Sequence, residues 1–164
     1  MQQSEQELRR LLDQRIVVLD GSWGVLLQGK GLTPADYRGE RFGDHPLDVT
    51  GDPDLLNITR PDVILGIHRE YFAAGADITT TNTFTATSIG QADYGLADYV
   101  REMNLAGARL ARQAADEASD KNGRRFVAGS VGPLNVTLSL SPRVEDPAFR
   151  QVSYDEVRDR KSVV

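Results

Sequence analysis

The residues best suited to chemistry stand at the ends of short apolar runs. Ile16–Leu19 is a β-branched stretch that ends in Asp20-Gly21. ADITTTNTF, residues 76–84, places Thr81-Asn82-Thr83 at the end of the run Ile78–Thr81, and Phe126–Val131 carries Gly129-Ser130. In parallel α/β folds reactive groups gather where strands finish. One carboxylate, several hydroxyl and amide groups and glycine N–H groups together suit an amino-acid zwitterion. The acid would hold the ammonium and the neutral donors would hold the carboxylate. The set contains no nucleophile or general base of its own. Spacing leaves a second reading of Asp20 open, as a structural acid that caps the turn after it.

Gly24-x-x-x-x-Gly29-Lys30 offers another chemistry, because it matches most of a phosphate-cradling loop whose lysine reaches the outer phosphates. Three features oppose it. Gly31 replaces the Ser or Thr that would hold magnesium, Val25-Leu26-Leu27 fills the loop with bulky groups, and Gly31-Leu32-Thr33-Pro34 stands where the helix should begin. A nucleotide-binding module using Gly24, Gly29 and Lys30 is the alternative function. The remaining candidates have plain structural readings. His68 lies mid-helix as a packed or partly exposed histidine, His45 in a loop as a solvated one, Trp23 as a packing plug, and Glu40-Arg41 in a solvated or loop-fixing ion pair.

The chain of 164 residues is long enough for one domain with a real core. Its 24 acidic and 19 basic residues leave a net charge of −5, with the basic residues scattered, which disfavours nucleic-acid or anionic-membrane partners. The polar start MQQSEQELRR lacks the apolar core of a secretory signal, so a cytoplasmic location is expected. With no cysteine there is no disulfide, thiol nucleophile or thiolate metal site within the sequence.

Positioning these groups requires alternating elements. Ser4-x-x-Glu7 is a capping box for a first helix to about Gln14. Ile16–Leu19 forms a buried strand, and residues 29–56 a long excursion with one short helical turn. Thr59-x-x-Asp62 and Pro61 open a helix with Ile64, Ile67, Tyr71 and Ala74 on one face, closed by Gly75. A strand follows at Ile78–Thr81. Next come a broken helical stretch from Ala86, a helix over about Ala97–Ala118, a turn at Asn122-Gly123 and a strand at Phe126–Val131. Val152–Arg158 begins a further helix. The order predicts right-handed βαβ crossovers and a parallel sheet.

In order and spacing, IVVLDGSWG, LTPADYRGERF, AGADITTTNTF, VAGSVGP and LSPRVEDPAFR resemble the homocysteine S-methyltransferase family. DYRGERF and DPAFR favour the branch found as the N-terminal homocysteine-binding domain of cobalamin-dependent methionine synthase. The resemblance covers residues 5–157. It implies an α/β fold that is part of a (β/α)8 TIM barrel, with only the first three βα units present, because a full barrel needs about 250 residues. It implies homocysteine as substrate and Asp20, Gly21, Ser22, Thr81, Asn82, Thr83 and Ser130 as substrate-binding residues. It also implies, in the full-length enzyme, a zinc ion that holds the thiolate, cobalamin as methyl carrier, and partner cobalamin and folate modules. The family's zinc cysteines lie in later strands, so the piece itself is expected to be inactive and to bind no cofactor. Ser22 replaces the family's second glycine, Trp23 and Val25 its commoner Met and Thr, and Thr80 its acid, which changes the polarity of the pocket. Residues 1–158 are expected to be native barrel sequence and 159–164 a non-native tail. A differently specialised barrel, such as an aldolase-like enzyme, shares the same element order.

Overall fold

The computed structural model describes residues 2–119 and 123–159. Asn122 of the expected turn and residues 160–164 of the expected tail lie outside them.

Helix α1 spans Gln2–Gln14 and turns Leu8 and Leu11 inward. It starts before Ser4, so the Ser4–Glu7 pair lies inside the helix and caps nothing. The first turn is tied instead by the Arg9 guanidinium on Glu5. After Arg15 the chain is extended. Strands β1 (Ile78–Thr80) and β2 (Phe126–Ala128) pair in parallel, with Ile78 opposite Phe126. On the other side of β1, Leu19 makes a single parallel bridge to Ile78. The strand expected at Ile16–Leu19 is therefore only a bridged edge. Among the described residues its backbone-to-backbone bonds are those of Asp77 and Ile78 N–H on Val18 O and of Asp20 N–H on Ile78 O. Among the described residues it has a neighbour on one side only, and Ile16 is 85% exposed. β1 and β2 are likewise shorter than the runs expected for them, ending at Thr80 and Ala128.

One buried acid fastens the starts of all three segments. Asp77, whose side chain is 3% exposed, takes both guanidinium arms of Arg15 at 2.6 and 2.7 Å. It also accepts Val18 N–H at 3.0 Å and Arg125 Nη1 at 2.8 Å. The Arg15 bond, more than the other contacts, pulls its carboxyl down to about 2.

The helices provide the core. α5 (Pro61–Ala73) and α7 (Val100–Ala118) pack side by side, and α4 (Leu56–Thr59) lies against both. Leu56, Ile64 and Ile67 form one cluster with Leu27, and Val49, Leu55, Leu96 and Met103 form another with Phe42. Each such side chain contributes about 1.5–3 kcal/mol on burial, so helix packing outweighs the short ladder. Gly107 permits the close approach of α7. A Cβ there would lie 2.9 Å from both Asn57 Nδ2 and Thr83 Cγ2. Thr59 ends α4 and does not cap α5. Its expected partner Asp62 holds Arg60 instead.

The excursion is more ordered than its composition implies. Thr33 and Asp36 form a capping box for α3 (Pro34–Arg38). The Arg38 guanidinium donates to His45 O at 2.7 Å and Leu47 O at 2.9 Å, pinning the loop from inside. His45 is not solvated: it is half-buried, with Nε2 2.7 Å from Tyr94 O. Arg41 pairs with Glu102 rather than Glu40. After β1, Thr87 caps α6 (Ser88–Ala92), and Gly95 at φ 67° precedes a 3-10 turn at Ala97–Tyr99. Ser153 and Glu156 exchange bonds at the start of α8 (Tyr154–Asp159).

Candidate functional site

The finishing ends of the three parallel segments surround a cavity of about 450 Å³. Asp20, Gly21, Thr81, Asn82 and Ser130 line it, while Ser22 and Thr83 do not. Ser22 is an exposed residue ahead of α2 (Trp23–Gly29) and makes no capping bond. Trp23, Leu27, Pro53 and Phe84 supply apolar wall, and Thr80 a hydroxyl. Of these, sequence reasoning treated Trp23 only as packing. Its indole donor three residues after a strand-end acid was the available signal.

Asp20 caps no turn. It is 9% exposed and reaches across to β1. Oδ2 accepts Thr80 N–H at 2.7 Å, Thr79 Oγ1 at 2.8 Å and the Trp23 indole N–H at 3.0 Å. The Thr80 hydroxyl lies 3.1 Å from both carboxylate oxygens, and among the described residues that shared contact is the only hydrogen bond on Oδ1. Oδ2 is thus crowded with donors while Oδ1 keeps accepting capacity.

Behind this layer His68 is fully buried on α5, with Nδ1 2.7 Å from Thr79 Oγ1 and its ring edge-on to Trp23 at 4.6 Å. Burial depresses its pKa to about 4, against a smaller opposing pull from Asp20. Burial first, then the charge of Asp20, raises the phenol of Tyr71 beneath Gly21.

The other polar groups at the strand ends are largely committed to the protein. Thr81 Oγ1 accepts Ser130 N–H at 2.9 Å and lies 2.7 Å from Thr83 Oγ1, which donates to Ser130 O at 3.1 Å. The Asn82 amide donates to Pro53 O at 2.6 Å and to Asn57 Oδ1 at 3.3 Å. These side chains lock β1 to β2 and to the Pro53 loop. Asp20, Gly21 and Thr80 are left as the main polar face.

The Gly24–Gly29 stretch is helical rather than an open loop that could wrap a phosphate. Lys30 is paired with Glu70. Among the described residues no group of three His, Cys, Asp or Glu side chains is arranged to hold a metal, and no helix is long and apolar enough to cross a membrane.

Another buried acid gives the molecule an unusual pH response. Asp52 is fully buried beside Gln91, and desolvation raises its pKa to about 6. In the window from about pH 4 to 6 the unfolded chain protonates His68 while the native state does not, so that group makes stability rise with pH. Asp52 does the reverse, because the native state keeps a proton that the unfolded chain releases above its ordinary 3.8. Each slope is about 1.4 kcal/mol per pH unit. The urea midpoint of the wild-type chain is therefore expected to be nearly flat over this window. In Asp52→Asn it should fall steadily as pH drops from 6 to 4.

Residues 17–160 match the family model described as homocysteine S-methyltransferase. The chain also superposes on the crystal structure of the homocysteine methyltransferase MmuM from Escherichia coli. For the oxidized form the identity is 30% and the TM-score 0.61. For the metallated form they are 29% and 0.59. In both cases the match covers 77% of this chain and 41% of that one, so the chain spans about two-fifths of the length of these solved relatives. Mixed α/β architecture, the matched span and the structural likeness agree, and the chain belongs to the homocysteine S-methyltransferase family.

Proposed function

We propose that this chain supplies the amino-acid grip of an enzyme that methylates homocysteine, and that its three parallel segments are the first three βα units of a (β/α)8 barrel. The observation that carries the reading is Asp20: a nearly buried carboxylate on the cavity wall, with one oxygen saturated by donors and the other able to accept. An ammonium group meets that second oxygen, and Gly21 and the Thr80 hydroxyl border the rest of the polar end. The apolar wall of Trp23, Leu27 and Phe84 suits the two-carbon arm that leads to the sulfur. In this reading Ser22, Thr81, Asn82, Thr83 and Ser130 shape the mouth more than they touch the ligand.

A zinc ion of the thiolate-binding kind does not fit the donors present. The sequence has no cysteine and only two histidines. His68 Nδ1 is engaged with Thr79 and His45 Nε2 with Tyr94 O. The reading therefore assigns binding and orientation to these residues. Zinc activation of the thiol, and a methyl donor such as cobalamin in a methionine-synthase type of enzyme, are assigned to residues outside this sequence.

Calorimetric titration with L-homocysteine tests the reading. Saturable binding with Kd on the order of millimolar is expected, with L-methionine competing because it shares the polar end. No methionine should form, and zinc should not bind tightly at one equivalent. Absence of saturable amino-acid binding would overturn the proposal. Tight ATP binding that weakens in Lys30→Ala would establish the nucleotide alternative instead.

A further inference from the structure

The polar layer behind Asp20 has a directionality that follows from counting protons. Asp20, as a carboxylate, can only accept, so the 2.8 Å contact from Thr79 Oγ1 uses the single hydroxyl proton of Thr79. The 2.7 Å contact between Thr79 Oγ1 and His68 Nδ1 must then run the other way, with the ring N–H donating. His68 therefore carries a proton on Nδ1, and its burial, which pulls the pKa down to about 4, keeps the ring neutral. Its Nε2 is a bare lone pair, and this nitrogen is buried with no hydrogen-bond partner among the described residues. His68 and Thr79 are both 0% exposed, so no solvent competes for these bonds.

We propose that His68 and Thr79 are positioning residues for Asp20: the His68 ring donates to Thr79, Thr79 donates to Asp20 Oδ2, and the carboxylate is thereby held with Oδ1 toward an amino-acid ammonium. This rests on the amino-acid reading of the cavity. Neither residue touches the ligand. Trp23 closes the arrangement from the other side, donating to the same Oδ2 while packing on the His68 ring. Three donors on one oxygen and only a shared hydroxyl on the other fix which oxygen faces outward. A carboxylate free to rotate would present either.

Long-range nitrogen–proton NMR on the labelled 164-residue chain tests the relay directly. Only two histidines contribute signals, and His45→Gln assigns them. At pH 7 His68 is expected as the Nδ1–H tautomer. Thr79→Val should shift it to Nε2–H or to a mixture, and Thr79→Ser should restore the wild-type pattern, a rescue that a purely space-filling role would not show. Homocysteine affinity should fall about tenfold in Thr79→Val and recover in Thr79→Ser. Nε2–H or a cationic ring in the wild type overturns the relay, whatever the affinity. The expected tautomer with equal homocysteine affinity in wild type and Thr79→Val overturns the positioning role. The expected tautomer in a wild type that binds no amino acid overturns the reading of the cavity and the ligand half of the proposal, while the hydrogen-bond relay itself stands.

Discussion

Asp77→Ala is expected to cost about 2–4 kcal/mol, a large share of the roughly 5–15 kcal/mol that holds a domain folded. Among the described residues Asp77 is the one side chain that ties all three parallel segments together: it bonds Arg15 just before the first segment and Val18 within it, stands itself at the start of β1, and bonds Arg125 before β2. Removing it leaves two guanidinium groups facing each other without their shared anion and frees Val18 N–H. The ladder is too short to compensate, since the first segment is held to β1 by one bridge and a few backbone bonds. The same clamp sets acid sensitivity. Its folded pKa of about 2 lies below the ordinary 3.8, so its stabilisation is complete above pH 3.8 and is lost as pH falls toward 2. Urea unfolding followed by circular dichroism checks both points. A midpoint in Asp77→Ala within experimental error of wild type would show that the helices alone hold the segments in place.

Asp20→Asn should separate binding from folding. The introduced carbonyl oxygen can take the place of Oδ2 and accept from Thr79, Thr80 and Trp23, so stability should change by less than about 1 kcal/mol. The introduced amide then occupies the place of Oδ1 and turns N–H groups toward the ligand's ammonium. Losing a charge-assisted bond and replacing it with opposed donors costs about 3 kcal/mol, or roughly a hundredfold in homocysteine affinity. Calorimetry at matched protein concentration measures the affinity, and the lone tryptophan, Trp23, reports whether the Asp20 surroundings persist. Unchanged affinity would remove Asp20 from the binding site.

Much of the helical architecture was legible because its signals are local. Pro61 and Gly75 bracket α5, and the apolar spacing of α7 follows from residues three and four apart. The Trp23–Gly29 helix has no reading in the sequence: Val25-Leu26-Leu27 opposes a phosphate loop there but is too short a pattern to announce a helix. Leu27 is buried among Leu56, Ile64 and Ile67, and that distant packing makes the segment a helix. Thr33-x-x-Asp36 was a readable capping box hidden inside a stretch rich in Gly, Pro and Asp. The Ser4-x-x-Glu7 match shows the opposite error, a cap motif overrun by a helix that begins earlier.

The sequence by itself determined the family resemblance, the alternating order of helices and extended runs, and the placement of Asp20, Thr81-Asn82-Thr83 and Ser130 at the ends of those runs. These are matters of spacing along the chain. Only the tertiary structure decided which of these polar groups remain open. Thr81, Thr83 and Asn82 are committed to partners about 2 to 50 residues away, and Asp20 is held by donors from a segment 60 residues later. Hydrogen bonds between segments so far apart exist only after the loops have closed and water has been excluded, so no local pattern records them.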